Sequence, residues 1–106
     1  MIFYHITTLE QWAKYERNDA YAAESLTTEG FIHCSYAEQL DATLRLYFSG
    51  CERVLLLKIE PDLLTSKLLV ETSRDGALFP HIYGMLNKSA ILDIENRLMV
   101  LTELAP

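Results

Sequence analysis

The sequence predicts an α+β fold, a single domain built on a mixed, curved and split sheet with two helices in its N-terminal half. Apolar runs of strand length outnumber segments with helical spacing, and both helical segments come before Gly50. The four glycines form neither a GxGxxG motif nor a P-loop, which argues against a doubly wound nucleotide fold. At 106 residues, half of them hydrophobic, the chain has the size of one domain, taken as residues 1–106.

The chain is expected to open with a strand followed by a helix. Ile2–Ile6 is rich in β-branched and aromatic residues, which favours a strand. Thr8 followed by Gln11 matches a capping box, and this predicts a helix through Trp12. Tyr21–Thr28 has no clear pattern, so it is left unassigned.

A second strand and helix are predicted next. Phe31–Cys34 is typical of a short strand, and Ser35 with Glu38 forms another capping box. Apolar residues then recur at helical spacing as far as Gly50: Tyr36, Leu40, Leu44, Tyr47 and Phe48. This segment is expected to be an amphipathic helix with Ser35 as its N-cap.

The C-terminal half is expected to be mainly strand. Val54–Ile59 is a nearly continuous apolar run, typical of a central strand covered on both faces. Leu68–Glu71 predicts a further strand, and Ala90–Ile94 and Leu98–Thr102 predict two late ones. Phe79–Gly84 contains a proline and a glycine, which favour a rigid loop or edge segment.

Charge and cysteine usage exclude several classes of protein. Fifteen acidic residues against nine basic ones give a net charge of −6, and the basic residues are scattered. This argues against binding to a nucleic-acid backbone but leaves room for a small nucleotide. The sequence has no signal-peptide pattern and no apolar stretch of membrane-spanning length. Cys34 and Cys51 are therefore expected to be free thiols of a cytoplasmic protein.

Each of the three histidines stands in a run rich in polar and aromatic residues: Tyr4-His5-Ile6-Thr7, Gly30-Phe31-Ile32-His33-Cys34-Ser35 and Phe79-Pro80-His81-Ile82-Tyr83-Gly84. Strand alternation puts His5 with Thr7, His33 with Ser35, and His81 with Tyr83 on common faces. If the three runs meet in space, they line one polar pocket suited to proton transfer or ligand recognition.

Several of these residues also have plainer explanations. Ser35 serves as a helix cap, although that helix end beside His33 would also seat a carboxylate or phosphate oxygen. His81 is either a ligand-binding group or a histidine packed on aromatic residues. Glu71 either points into the pocket or is an ordinary solvated carboxylate. Cys34 is expected to face away from His33 as a buried thiol.

The three runs in this order, together with Ser25-Leu26, closely resemble a bacterial family known as domain of unknown function 952, over about residues 2–94. Members of that family look like a compact ADP-ribosyltransferase or RNA 2′-phosphotransferase fold, in which NAD binds in the cleft of a split, mixed sheet. The resemblance implies that His5, with Thr7, hydrogen-bonds the nicotinamide ribose. It further implies that Tyr21 or Tyr83 stacks on the nicotinamide and that Glu71 steadies an oxocarbenium ion.

Three functional hypotheses follow. The first is a site for a nucleotide such as NAD, with possible ADP-ribosyl transfer and no metal. Its catalytic residues would be His5, Glu71 and His33, and its ligand-binding residues Thr7, Tyr21, Ser35, His81 and Tyr83. The second is a metal-dependent hydrolase or small-molecule binder with the three histidines as ligands. The third is a non-catalytic interaction domain, in which each imidazole is buried and bonded to backbone.

Overall fold

A computed structural model describes residues 1–99, in which short helices lie between strands in the first half and strands joined by turns make up the second half. The elements in order are β1 Phe3–Thr7, α1 Leu9–Ala13, β2 Ala20–Tyr21, α2 Glu24–Thr28, β3 Ile32–His33, α3 Leu40–Tyr47, β4 Arg53–Ile59, β5 Lys67–Thr72, β6 Leu78–Tyr83, β7 Leu86–Asn87 and β8 Ile91–Leu98. This arrangement confirms the α+β class.

The strands form three small sheets, in the orders β1-β4-β8, β3-β6-β5 and β2-β7. Tyr4 and Ser35 join the first two sheets through an antiparallel bridge, with N–H···O distances of 2.7 and 2.8 Å. Every strand pairing among the described residues is antiparallel, so the expectation of a mixed sheet is wrong. Parallel neighbours need crossovers of a dozen or more residues, whereas the 73–77 turn alone joins β5 to β6.

The described residues contain three α-helices, one more than predicted. The additional helix, α2, lies in the unassigned segment; it buries no residue and has no side-chain cap, so it leaves no periodic or capping signal. The first capping residue is confirmed, because Thr8 Oγ1 accepts a hydrogen bond from the Gln11 N–H at 3.1 Å. None of the helices within residues 1–99 has the length and apolar character needed to span a membrane.

The prediction of Ser35 as an N-cap is wrong. A 3-10 turn over Ala37–Gln39 precedes α3, and the Gln39 side chain accepts from the N–H of Tyr36 at 2.9 Å. The backbone of Ser35 instead pairs with Tyr4, and its side chain is buried. The long-range bridge therefore overrides the local capping signal.

The C-terminal half holds one confirmed prediction and one error. Val54–Ile59 lies within β4, the central strand of its sheet, as expected. Phe79–Gly84 is not a loop or edge, because β6 lies between β3 and β5. The backbone groups of Pro80 face Cys34, whose N–H donates to the Pro80 carbonyl oxygen at 3.0 Å. Cys34 lies just beyond the end of β3, so the N–H that proline lacks is missing only where the β3 strand has already ended.

The two late runs belong to one strand as far as the structure describes them. β8 covers Ile91–Leu98 and pairs with β4, with a register shift between Lys58 and Ile59. Of the predicted Leu98–Thr102 strand, residues 100–102 lie outside the described residues.

Two apolar clusters cover opposite faces of the β1-β4-β8 sheet. The larger contains Phe3, Leu57 and Ile59 from this sheet, with Tyr21, Ile32, Cys34 and Ile82 from the elements packed on it. On the other face, α3 packs Leu40 and Leu44 onto β1 and β4. Burial raises the pKa of the Cys34 thiol well above its usual value, so this cysteine is a structural member of the core.

Candidate functional site

A group of polar and aromatic side chains covers the outer face of the β3-β6-β5 sheet. His33 pairs in register with His81, and both strands turn their intervening apolar residues, Ile32 and Ile82, into the core. We call this group the histidine patch and define it as Phe31, His33, Glu71, His81 and Tyr83.

Aromatic contacts hold the rings of the patch together. Phe31 stacks on His81 with ring centroids 4.2 Å apart and planes 24° apart. The ring of His33 meets that of His81 edge-on at 5.4 Å and that of Phe31 at 4.8 Å. The side chain of His33 is 54% exposed and that of His81 only 14%, so the patch runs from an open imidazole to a sheltered one.

Glu71 organises the sheltered side of the patch. Its Oε1 accepts hydrogen bonds from His81 Nδ1 at 2.8 Å and from the Tyr83 hydroxyl at 2.6 Å. Both bonds lower the pKa of the Glu71 carboxyl, and the bond from Tyr83 has the larger effect. The bond between Tyr83 and Glu71 also raises the pKa of the Tyr83 hydroxyl. Glu71 is therefore an ionised acceptor, and Tyr83 keeps its proton.

The hydrogen bond to Glu71 also determines the tautomer of His81. A carboxylate only accepts, so Nδ1 carries the proton and Nε2 of the neutral ring has a lone pair. Nε2 makes no hydrogen bond to the residues described, and no buried side-chain nitrogen or oxygen among them lacks a partner. The lone pair of Nε2 therefore faces solvent.

His5 lies in the interior, behind the patch. Its Nδ1 donates to the carbonyl oxygen of His33 at 2.6 Å, and its Nε2 lies 2.9 Å from the Tyr21 hydroxyl. That hydroxyl is also 2.8 Å from Oγ1 of Thr7. Burial lowers the pKa of His5 to about 4 and raises that of Tyr21 to about 12, so both groups are neutral at pH 7.

The single hollow lined by all three imidazoles, expected from the sequence, does not form. The structure brings together His33, His81, Glu71 and Tyr83 at the surface. It places His5, Thr7, Tyr21 and Ser35 in the interior. Of these, His5 and Thr7 lie on β1, and both contact the Tyr21 hydroxyl of β2. The predicted pairing of His5 with Thr7 on one face is confirmed by their shared partner, Tyr21. The catalytic and ligand-binding roles stay predictions.

Two residues of the site region were missed in the sequence. Phe31 stacks on His81, and the carboxylate of Glu29 lies 3.1 Å from Nε2 of His33. The signal for Phe31 was available, since an aromatic residue two positions before a strand histidine projects to the same face. Glu29 lies outside any strand, so alternation does not predict its contact with His33.

The three-histidine metal site is contradicted by this geometry. Both ring nitrogens of His5 are engaged by protein groups, and no cluster of three or more His, Cys, Asp or Glu suited to a metal exists within residues 1–99. Two surface depressions, of about 260 and 270 Å³, lie away from the patch. Their walls include Trp12 and Lys88 in one case and Cys51 and Arg53 in the other.

Comparison with known proteins places the chain among relatives of the same fold. Residues 6–94 match the family described as protein of unknown function, DUF952. The chain belongs to the DUF952 family. This DUF952 chain has no match among curated proteins.

Solved structures similar to this DUF952 protein come from Caulobacter crescentus. The crystal structure of protein CC0527 is 30% identical in sequence to this chain and superposes on it with a TM-score of 0.82. The aligned region covers 91% of this chain and 85% of the CC0527 chain. A double mutant of CC0527 gives 29% identity with the same coverage and TM-score. The solution NMR structure of CC0527 shares 30% identity over 89% of this chain and 82% of its own, with a TM-score of 0.75.

Proposed function

We propose that the histidine patch binds a small molecule and that His81 exchanges a proton with it. The observation that carries this proposal is the bond between His81 Nδ1 and the ionised Glu71, at 2.8 Å, which leaves Nε2 as an open base. A carboxylate that orients an imidazole in this way also stabilises the imidazolium formed when Nε2 takes up a proton. Tyr83 holds the same carboxylate oxygen in place at 2.6 Å.

We further propose that the bound molecule is a nucleotide such as NAD. The patch combines an aromatic surface with carboxylates, and this combination suits a flat ring that carries positive charge, such as nicotinamide. In ribosyl transfer, the bond between the ribosyl carbon and nicotinamide breaks and its electron pair stays on nicotinamide. An acceptor hydroxyl then attacks the ribosyl carbon and its proton passes to Nε2 of His81, while Glu71 stabilises the positive charge in between.

In this proposal the interior residues act indirectly. His5 donates to the His33 carbonyl at 2.6 Å and so positions the strand that bears His33. Thr7, Tyr21 and Ser35 are buried and support His5 and the adjoining backbone rather than a ligand. The ribose contact that the family resemblance implies for His5 requires the interior to open. The cytoplasmic location stays a prediction from the sequence.

Titration with NAD, ADP-ribose and nicotinamide, each added separately to ¹⁵N-labelled protein, tests the proposal. We expect NAD to shift amide signals of β3, β5 and β6, and the Glu71→Gln and His81→Gln variants to weaken that response. Glu10→Gln is the matched control, because it removes the same charge at an exposed position outside the patch. No shifts at millimolar ligand, or shifts confined to the depression beside Trp12 and Lys88, would sink the proposal.

His5 favours a second candidate, a non-catalytic interaction domain. Its imidazole is buried and bonded to backbone, which is the environment that this hypothesis requires. Under it, His81→Gln leaves every binding measurement unchanged, and His5→Gln lowers only the free energy of unfolding. His33 is 54% exposed and bonds no backbone group of residues 1–99, so it does not meet the same requirement.

A further inference from the structure

β8 lies at the margin of its sheet and carries both exposed apolar side chains and charged ones. β8 pairs with β4 on one side, and within residues 1–99 no strand pairs with its other side. Leu92 is 52% exposed, Ile94 44% and Leu98 47%. Unpaired backbone groups beside apolar side chains attract another strand, and charges on such an edge limit pairing to a partner whose charges are complementary.

The charges on β8 select one way for it to pair with a second copy of itself. Along a strand, only every second residue points its backbone N–H and C=O at the neighbouring strand, and two residues that pair must match in this respect. In a pair of identical antiparallel strands, the twofold axis therefore passes between one residue and its own copy, not between two successive residues. An axis at Glu95 puts Glu95 opposite itself, and an axis at Arg97 does the same for Arg97. An axis at Ile94 puts Asp93 opposite Glu95. These three registers set like charges against each other.

An axis at Asn96 avoids that conflict. It puts Glu95 of each copy opposite Arg97 of the other, and Ile94 opposite Leu98. Within one chain, Arg97 Nε already lies 2.8 Å from Glu95 Oε2, so the two copies would build a network of four charges. The apolar pair would cover side chains that are almost half exposed in the single chain.

We propose that this protein forms a homodimer through antiparallel pairing of β8 with β8, centred on Asn96. The joined strands extend the two β1-β4-β8 sheets into one six-stranded sheet. Contact along a single strand edge is smaller than a permanent interface, so the dimer dissociates on dilution. Its formation does not depend on what the histidine patch binds.

The other sheet margin, β5, is the competing edge. A twofold axis at Leu69 would put Lys67 opposite Glu71, which is also a favourable pairing. However, Glu71 already accepts two hydrogen bonds within its own sheet, and β5 exposes fewer large apolar side chains than β8. β8 is also longer, with eight residues against six. These differences favour β8.

Sedimentation across a concentration series, with circular dichroism to verify folding, tests the dimer. We expect the natural chain to pass from monomer to dimer as its concentration rises. Glu95→Arg and Arg97→Glu should each raise the dissociation constant by about tenfold or more, since each sets like charges opposite each other twice. The double variant Glu95→Arg/Arg97→Glu should restore dimerisation. Ile94→Lys should abolish it, and Val70→Lys, the matched change on β5, should not.

The outcomes separate the possible occupants of the edge. A monomer at every concentration, or a double variant no better than the single ones, overturns the proposal. Loss of the dimer in Val70→Lys but not in Ile94→Lys overturns it in favour of β5. A monomer that dimerises only after residues 100–106 are removed overturns it in favour of the chain's own C-terminal segment.

Discussion

At the scale of single residues, burial gives the three histidines different chemistry. The ring of His5 is enclosed, and its pKa falls to about 4 because a charged imidazole would lose its hydration. His33 and His81 lie on the outer face of a sheet and keep one ring nitrogen each for solvent or a ligand. The same residue type is therefore a structural hydrogen-bonding group at one position and a candidate reactive group at the other two.

His5 should make the protein less stable in mild acid. Its ordinary pKa of 6.5 applies to the unfolded chain and about 4 to the folded one. Between these values the unfolded state binds more protons, so the free energy of unfolding falls as the pH falls, by up to about 3 kcal/mol from this group. Urea unfolding from pH 7 to 4 measures this loss. The loss should be smaller in His5→Gln, and parallel curves for the two proteins would contradict the assignment.

The hydroxyl of Tyr21 should contribute substantially to the free energy of unfolding, because two buried polar groups depend on it. It lies within hydrogen-bond distance of both His5 Nε2 and Thr7 Oγ1, at 2.9 and 2.8 Å. Tyr21→Phe leaves both buried groups without this partner, so we expect a loss of about 1–3 kcal/mol in urea unfolding. Tyr15→Phe is the control, because the Tyr15 hydroxyl makes no hydrogen bond to a described residue. An equal loss in both variants would refute the special role of Tyr21.

At the scale of elements, predictions succeeded where local pattern decides the structure. β4 was predicted from its nearly continuous apolar run, and Val54–Leu57 are indeed all buried. α3 was predicted from apolar residues at helical spacing, of which Leu40 and Leu44 are buried whereas Tyr47 is exposed. β6 was misjudged because Pro80 is unfavourable in a central strand unless the neighbour has already ended, and only the tertiary arrangement reveals that. Ser35 was misjudged for a similar reason, since its partner, Tyr4, is distant in sequence.

The turn after β6 should tolerate no side chain at Gly84. Its φ of +149° is rarely adopted by other residues, and an added Cβ would collide with the side chain of Ser66. We expect Gly84→Ala to cost about 1–3 kcal/mol in urea unfolding. Gly50→Ala is the matched control, because no atom of the described part of the chain lies within 4 Å of the added carbon. It should change stability by less than about 0.5 kcal/mol, and a similar loss at both glycines would argue against the collision.

At the scale of the whole molecule, the candidate site could be predicted only in part. Alternation along β6 predicts that His81 and Tyr83 share a face, and both do contact Glu71. Whether His5 joins them depends on which way β1 faces once the sheets meet at the bridge between Tyr4 and Ser35. The orientation of β1 relative to the other sheet arises only in the assembled fold, so no single segment of the sequence predicts it.

The apolar cluster shared by the sheets predicts cooperative unfolding. Tyr21, Ile32 and Leu57 come from three different sheets but share one apolar cluster, so neither main sheet keeps its core when the other unfolds. Trp12 packs on Tyr21 with ring centroids 5.4 Å apart, which makes its fluorescence a probe of that cluster. We expect the fluorescence and far-ultraviolet circular dichroism curves in urea to coincide. Separate midpoints would mean that the sheets unfold independently.

The rate at which a reagent modifies the buried Cys34 thiol measures how often the core opens. Cys34 is only 3% exposed, whereas Cys51 is partly accessible. An alkylating reagent should therefore modify Cys51 first and reach Cys34 only during transient opening of the seam between β1 and β3. The slow step of such labelling, followed by mass spectrometry, reports how often the two sheets part, without any introduced probe.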